Sequence, residues 1–312
     1  MRKISKIAIL ILGMIWNAAL AQASVTCPLA LAGDFPVSTT PGRIPVINIE
    51  IGGKNFRMMV DTGAAVSTLT TSTWEALGNP PYQRIDGDYV IGVGGSAQLN
   101  TAILEDVEAA HFKSRDQVFI VADDEVPQSK GKPLVDGLLG YDFLNNFDIG
   151  FDLPDHRISL YFLSTCDTAQ APWPGDYDVE ALNLNSQTRE YWLPYGIDNQ
   201  TFNAIIDSGS SSTTVAQSSL ARAGITPEAA PAKLTGEVIG AGLRTAIVHR
   251  EMFDSVTAGA EIFSNAWLTV SNMPTGHMFD VLLGEDYLAT HRVFISNATA
   301  SVLLGLTVPV QQ

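Results

Sequence analysis

Phe56-Arg57-Met58-Met59-Val60-Asp61-Thr62-Gly63 and Phe202-Asn203-Ala204-Ile205-Ile206-Asp207-Ser208-Gly209 are one pattern written twice, an apolar run that ends in an acid, a hydroxyl and a glycine. Each is preceded by a second run and a turn. In the first half Ile44-Pro45-Val46-Ile47-Asn48-Ile49 leads into Gly52-Gly53-Lys54-Asn55; in the second, Trp192-Leu193-Pro194-Tyr195-Gly196-Ile197 leads into Asp198-Asn199-Gln200. Apolar runs bounded by Gly, Asn and Asp predict a β-hairpin in each half, with the acid at the end of its second strand.

Two further landmarks repeat in the same order. Val90-Ile91-Gly92-Val93-Gly94-Gly95 is answered by Val238-Ile239-Gly240-Ala241-Gly242, and Asp136-Gly137-Leu138-Leu139-Gly140 by Asp280-Val281-Leu282-Leu283-Gly284. The offsets are 146 from Asp61 to Asp207, 148 from Gly92 to Gly240 and 144 from Gly140 to Gly284. Three offsets this close imply two copies of one β-rich lobe. The expected organisation is an export signal over 1–23, an N-terminal extension over 24–42, a first lobe over 43–163, a Pro- and Gly-containing connection over 164–178 and a second lobe over 179–312.

One acid from each copy suggests a chemistry. Two carboxylates held together cannot both ionise, so one stays protonated; the charged one takes a proton from water while the neutral one donates to a scissile carbonyl. Gly63 and Gly209 fit where a side chain would obstruct the approach of the two loops, and Thr62 and Ser208 supply hydroxyls able to bond across the axis. Here the chain resembles the aspartic peptidases over nearly all of its length after the signal. Asp-Thr-Gly and Asp-Ser-Gly match that family's catalytic motif. Leu138 to Gly140 and Leu282 to Gly284 match the segment that passes beneath each catalytic loop. The resemblance implies an all-β protein of two β-barrel lobes with a cleft between them, Asp61 and Asp207 as catalytic dyad, and Thr62, Gly63, Ser208, Gly209 and Ser210 in support. Ile91 and Ile239 stand before Gly92 and Gly240 where pepsins have Tyr, and Ala64 follows the first motif where pepsins place Ser. Both features are similar to retropepsins, which makes two retropepsin-like lobes in one chain. Ile91, Gly92, Val93, Gly94, Ile239 and Gly240 are then expected in flaps, where glycine allows a hairpin to lift and close over a peptide. Ser210 makes the second motif unlike the first and predicts different hydrogen bonding around the two acids.

Composition narrows the setting. Arg2, Lys3 and Lys6 precede an apolar run from Ile7 to Leu20, and Ala21-Gln22-Ala23 offers a cleavage site, so a bacterial export signal is expected and a periplasmic or secreted product beginning at Ser24. The run is broken by Asn17 and shorter than the roughly 20 residues a spanning helix needs, so no membrane anchor is expected after processing. Losing three bases and no acids takes the formal charge from −15 to −18. Sparse Lys and Arg exclude a phosphate-binding surface, hence no nucleic-acid partner. Cys27 and Cys166 are the two cysteines, and in an oxidising compartment one disulfide between them is expected.

Other signals are read as ordinary structure. Gly92 to Ala97 fits a dinucleotide fingerprint without the βαβ context it requires. His111, His156, His249, His277 and His291 are dispersed without metal-ligand spacing, so no metal is expected. Ser210 to Ser212 lacks a nucleophile-elbow pattern. Asp142 and Asp286 are expected to start short helices, 142–146 and 286–290, where a carboxylate meets free N–H groups. The expected function is therefore a monomeric aspartic endopeptidase, acting without cofactor on a peptide or protein substrate. The competing expectation is a non-catalytic peptide-binding or inhibitory protein of the same fold.

Overall fold

The computed structural model describes residues 28–92, 95–123, 126–184, 191–226, 235–239, 245–273 and 279–306. The expected signal over 1–23, Cys27, Val93, Gly94, Gly240 and His277 lie outside the described residues.

Both predicted hairpins form. Pro45–Ile51 pairs antiparallel with Lys54–Val60, and Tyr191–Ile197 with Gln200–Ile206. The turns explain the sequence at their tips. Gly52 and Gly53 have φ of 56° and 75°, Asp198 and Asn199 of 45° and 64°, the pair of left-handed residues that a two-residue hairpin turn needs to match strand twist. Burial along the second strands is identical in the two halves: two exposed residues, then Phe56 or Phe202 buried, one exposed, and three buried before the acid. The first alternation is the inward-outward period of a strand; the final buried run marks where the strand enters the middle of the molecule.

In the second lobe a ring of six strands closes. Tyr191–Ile197, Gln200–Ile206, Val281–Leu283, Thr214–Ala216, Glu261–Ser271 and Thr245–Ala258 pair in that order, and Thr245–Ala258 returns to Tyr191–Ile197 through Tyr195 opposite Ala258 and Ile197 opposite Val256. The first lobe follows the same order, but its closing strand is broken at Glu105 and Asp106 into Gly95–Leu104 and Val107–Ala109; the latter makes the return pairing, Ile51 opposite Val107. These are the two β lobes that the internal repeat predicts.

A six-stranded antiparallel sheet joins them. Ala30–Pro36, Arg157–Phe162 and Phe147–Asp152 come from the first half, and Arg292–Ser296, Ser301–Gly305 and Tyr177–Ala181 from the second, meeting where Ile149 lies opposite Ile295. The N-terminal extension thus supplies an edge strand to this sheet, and its last strand begins at Tyr177, inside the segment read as a connection. A single apolar cluster runs from Ile47, Met58 and Leu139 through Phe147 and Ile149 to Leu193, Ile206 and Leu283, so both lobes and the shared sheet are packed on one core. Among the described residues no helix is long and apolar enough to cross a membrane.

Candidate active site

Asp61 and Asp207 sit one residue beyond equivalent strands, at equivalent stations. The Asp61 N–H donates to Leu139 O at 3.0 Å and the Asp207 N–H to Leu283 O at 2.9 Å, so each Leu-Leu-Gly strand, parallel to the strand that carries the acid, sets that acid's position. Inside each loop the Gly63 N–H donates to Asp61 Oδ1 at 3.0 Å and the Gly209 N–H to Asp207 Oδ1 at 2.9 Å. Each carboxyl also lies over the other loop's glycine. A Cβ built on Gly63 would fall 2.5 Å from Asp207 Cγ, and one on Gly209 2.4 Å from Asp61 Cγ. Each carboxyl is thus packed against the loop that carries the other, and two carboxyls held close together cannot both ionise freely.

Thr62 and Ser208 latch the loops reciprocally. The Thr62 N–H donates to Ser208 Oγ and the Ser208 N–H to Thr62 Oγ1, both at 3.1 Å, while Thr62 Oγ1 donates to Ile206 O at 2.6 Å and Ser208 Oγ to Val60 O at 2.8 Å. Thr62→Val or Ser208→Ala strands buried donors and acceptors, each substitution lowering stability by about 1–3 kcal/mol in denaturant unfolding. Stability equal to wild type in both variants would contradict the latch.

A second tier supports the first. Asp142 Oδ1 accepts from the Ser67 N–H at 2.8 Å and from Ser67 Oγ at 2.7 Å, and Ser67 Oγ accepts from the Gly140 N–H at 3.0 Å. Asp286, Thr213 and Gly284 repeat this with 2.7, 2.7 and 3.2 Å. Asp142 and Asp286 do lie in first helical turns, but the helices are Tyr141–Leu144 and Glu285–Leu288, one residue earlier than expected, with Gly140 and Gly284 at the cap. From the second helical position the carboxylates also tie down the far ends of the Asp61 and Asp207 loops. Sequence reading missed Ser67 and Thr213, although they are related by the same offset of 146 as the two acids.

The Ser210 hydroxyl bonds within its own loop rather than to Asp61 or Asp207. Its Oγ donates to Ser212 O at 2.9 Å and its N–H to Asp207 O at 3.1 Å, so it shapes the loop. The chemical asymmetry lies elsewhere, in Glu285, which stands where the first lobe has Tyr141. Glu285 is 1% exposed and burial pushes its carboxyl up to about 8, against the opposing pull of Arg43. Burial likewise pushes Asp61 up to about 6, although the Gly63 N–H, Asp207 and the Ala64 N–H favour its charged form.

Both folded values exceed the ordinary carboxyl values of 4.5 and 3.8, so the stability these groups contribute is fully present below those values and is lost as pH rises. The loss runs from 4.5 to about 8 for Glu285 and from 3.8 to about 6 for Asp61. Thermal unfolding should therefore show a lower midpoint at pH 8 than at pH 4.5, the Glu285 share being on the order of 4 kcal/mol. A midpoint that rises across that interval would contradict the burial of these acids.

The segments expected as flaps lie on paired antiparallel strands. Tyr82–Gly92 pairs with Gly95–Leu104, Ile91 opposite Ser96 and Gly92 opposite Gly95, and Thr235–Ile239 pairs with Thr245–Ala258, Ile239 opposite Thr245. Among the described histidines, His291 is buried, stacked 3.8 Å from Tyr287 and 2.8 Å from Glu261 Oε2. Among the described residues no group of His, Cys, Asp and Glu could hold a metal ion.

Comparison with known proteins agrees with the internal repeat. A family model described as aspartyl protease matches residues 47–143 and again 193–287, each match running from the first strand of an Asp-bearing hairpin to the helix after Leu-Leu-Gly. The two matches together span more than half of the chain. No curated protein matches it significantly.

Proposed function

Since the chain belongs to the aspartyl protease family, with two retropepsin-like copies of its domain, we propose that it is an endopeptidase that hydrolyses a peptide bond with a water held between Asp61 and Asp207. The observation that carries this reading is the reciprocal placement of the two carboxyls, each over the other loop's glycine. The charged member takes a proton from water as it attacks; the neutral member protonates the carbonyl oxygen; the two then exchange roles as the amine leaves. No cofactor is needed for this sequence. An extended peptide would lie in the cleft as an added strand beneath the flap hairpins, its alternate side chains in pockets of either lobe.

Incubation with a mixed peptide library, read by mass spectrometry, tests the proposal. Products that vanish with a statine-type inhibitor support it. Saturable binding with no products would overturn it in favour of a peptide-binding or inhibitory protein.

A monomer suffices, since one chain supplies both acids. Export to the periplasm or medium and a Cys27–Cys166 disulfide belong to the same proposal. Two alkylatable thiols in the unreduced mature protein would remove the disulfide from it.

A further inference from the structure

The N-terminal extension ends in a turn, 40–44, that reaches the Asp61 loop and the Asp207 loop alike. The Thr40 N–H donates to Ile44 O at 3.1 Å and the Arg43 N–H to Thr40 O at 2.8 Å, with Arg43 left-handed at a φ of 65°, so the turn is tight. One foot is Ile44, buried with Val46, Met59 and Leu138 in a cluster against which Ala64, the residue after Gly63, is packed. The other foot is Gly42, where an added Cβ would lie 3.7 Å from Cβ of Ser211, four residues after Asp207. Arg43 stands between the two feet.

Arg43 is exposed, and among the described residues its guanidinium has no hydrogen bond or ion pair. A free cation stands out in a chain whose acids outnumber its bases 33 to 18. Arg157, Arg222 and Arg292, by contrast, are each paired with an aspartate. Ser211, which the turn touches, brings no charge to cancel that of Arg43. Glu285, beneath the same loop, does feel the cation, but burial pushes that carboxyl up to about 8 and so keeps it largely neutral below that. The internal repeat also writes an arginine at both stations: Arg189 follows Arg43 by the same 146 residues that separate the two acids, although Arg189 lies outside the described residues. A guanidinium without an internal partner is a receptor for a carboxylate, which it can grip with two parallel N–H donors.

We propose that Arg43 is a specificity-determining residue that receives an acidic side chain of the peptide substrate, so that chains with Asp or Glu near the scissile bond are cleaved in preference. This rests on the peptidase reading above. A peptide bond held between Asp61 and Asp207 carries the chain past both loops, and alternate side chains of an extended strand face the same way. One directed toward the outer end of the Asp207 loop meets the turn that abuts Ser211. The contact is made in the bound ground state and in the transition state alike, so it acts through KM rather than kcat. A C-terminal carboxylate offers the same chemistry, and peptides with blocked ends separate it from a side chain.

The test is kcat/KM of the full mature protein for matched peptides that carry Glu or Gln at one position flanking the bond cut in the library, with C-termini free or amidated. At one such position wild type should favour Glu by about tenfold, through KM, and R43N should lose most of that ratio. Asparagine tolerates a left-handed φ, so the turn should survive, and circular dichroism checks it. R43E should favour Gln at the same position. A wild-type ratio near one at every position, or a ratio that R43N and R43E leave in place, overturns the inference. So does a preference that amidation of the C-terminus abolishes. Should both variants fail to fold, the wild-type ratio decides: raising the ionic strength from about 0.1 M to about 1 M should lower it severalfold by screening, and a ratio indifferent to salt overturns the inference. Failure of the parent reading looks different, because then no peptide is cleaved, or Asp61→Asn and Asp207→Asn cleave like wild type.

Discussion

Asp61→Asn and Asp207→Asn should each lower kcat/KM by at least about 10³-fold, near the upper end of what a single acid-base group contributes. Asparagine keeps the shape of the side chain and its bond from the loop's own glycine N–H, but it can neither take a proton from water nor deliver one to the carbonyl. The two variants should be equally damaged, since the proton must pass through both groups in one turnover. The fold is expected to survive. Four latch bonds among Thr62, Ser208, Ile206 and Val60, and the second tier through Asp142 and Asp286, do not use either catalytic carboxyl. Removing the Asp61 charge also removes the cost of keeping it buried, so Asp61→Asn should unfold no more easily than wild type above pH 6. Steady-state cleavage of a library-derived peptide, with thermal unfolding of the same samples, checks both parts. Wild-type turnover in either variant would end the dyad assignment.

The parts of this site that were legible in sequence are those fixed by local pattern and repetition. Each acid ends a hairpin strand whose turn residues and burial period can be read directly, and the offset from Asp61 to Asp207 relates the two. Gly63 and Gly209 were legible because a close approach of two loops leaves no room for a Cβ, and one built on either would fall 2.4 to 2.9 Å from the facing carboxyl. The role of Asp142 was only half legible. A helix start is a local property, whereas the bond to Ser67 spans 75 residues and depends on the Leu-Leu-Gly strand being threaded beneath the loop. The shared sheet was hidden for the same reason. Ala30–Pro36 pairs with a strand more than 120 residues away, and alternation in a strand shows which face is buried but not which partner covers it. Asymmetry was sought at Ser210, the visible departure within the motif. The structure moves it to Glu285, whose significance comes from enclosure, which spacing alone does not reveal.

Gly63→Ala and Gly209→Ala should lower kcat/KM by about 10²-fold or more, since displacing a reacting group by about 1 Å costs that much. Neither glycine has a left-handed φ, so alanine strains no backbone angle; the effect must come from space. On Gly63 the added methyl would stand 2.5 Å from Asp207 Cγ and 2.6 Å from its Oδ1, and on Gly209 between 2.4 and 2.5 Å from Asp61 Cγ and both its oxygens. A carboxyl has two ways to yield. It can rotate out of the bond from its own loop's N–H, or the loops can separate and stretch the latch, and either move breaks the contact through which the proton is shared. Overpacking of this kind lowers stability by about 1–3 kcal/mol, so the protein should fold while its chemistry fails. Gly53→Ala is the control. Its φ of 75° penalises alanine, but nothing lies within 4 Å of the added methyl and the turn is remote from the dyad, so it should cost about 1 kcal/mol of stability with kcat/KM unchanged. If Gly63→Ala behaves like that control, the two carboxyls do not approach as closely as a shared proton requires, and the dyad cannot operate through the geometry from which its chemistry was argued.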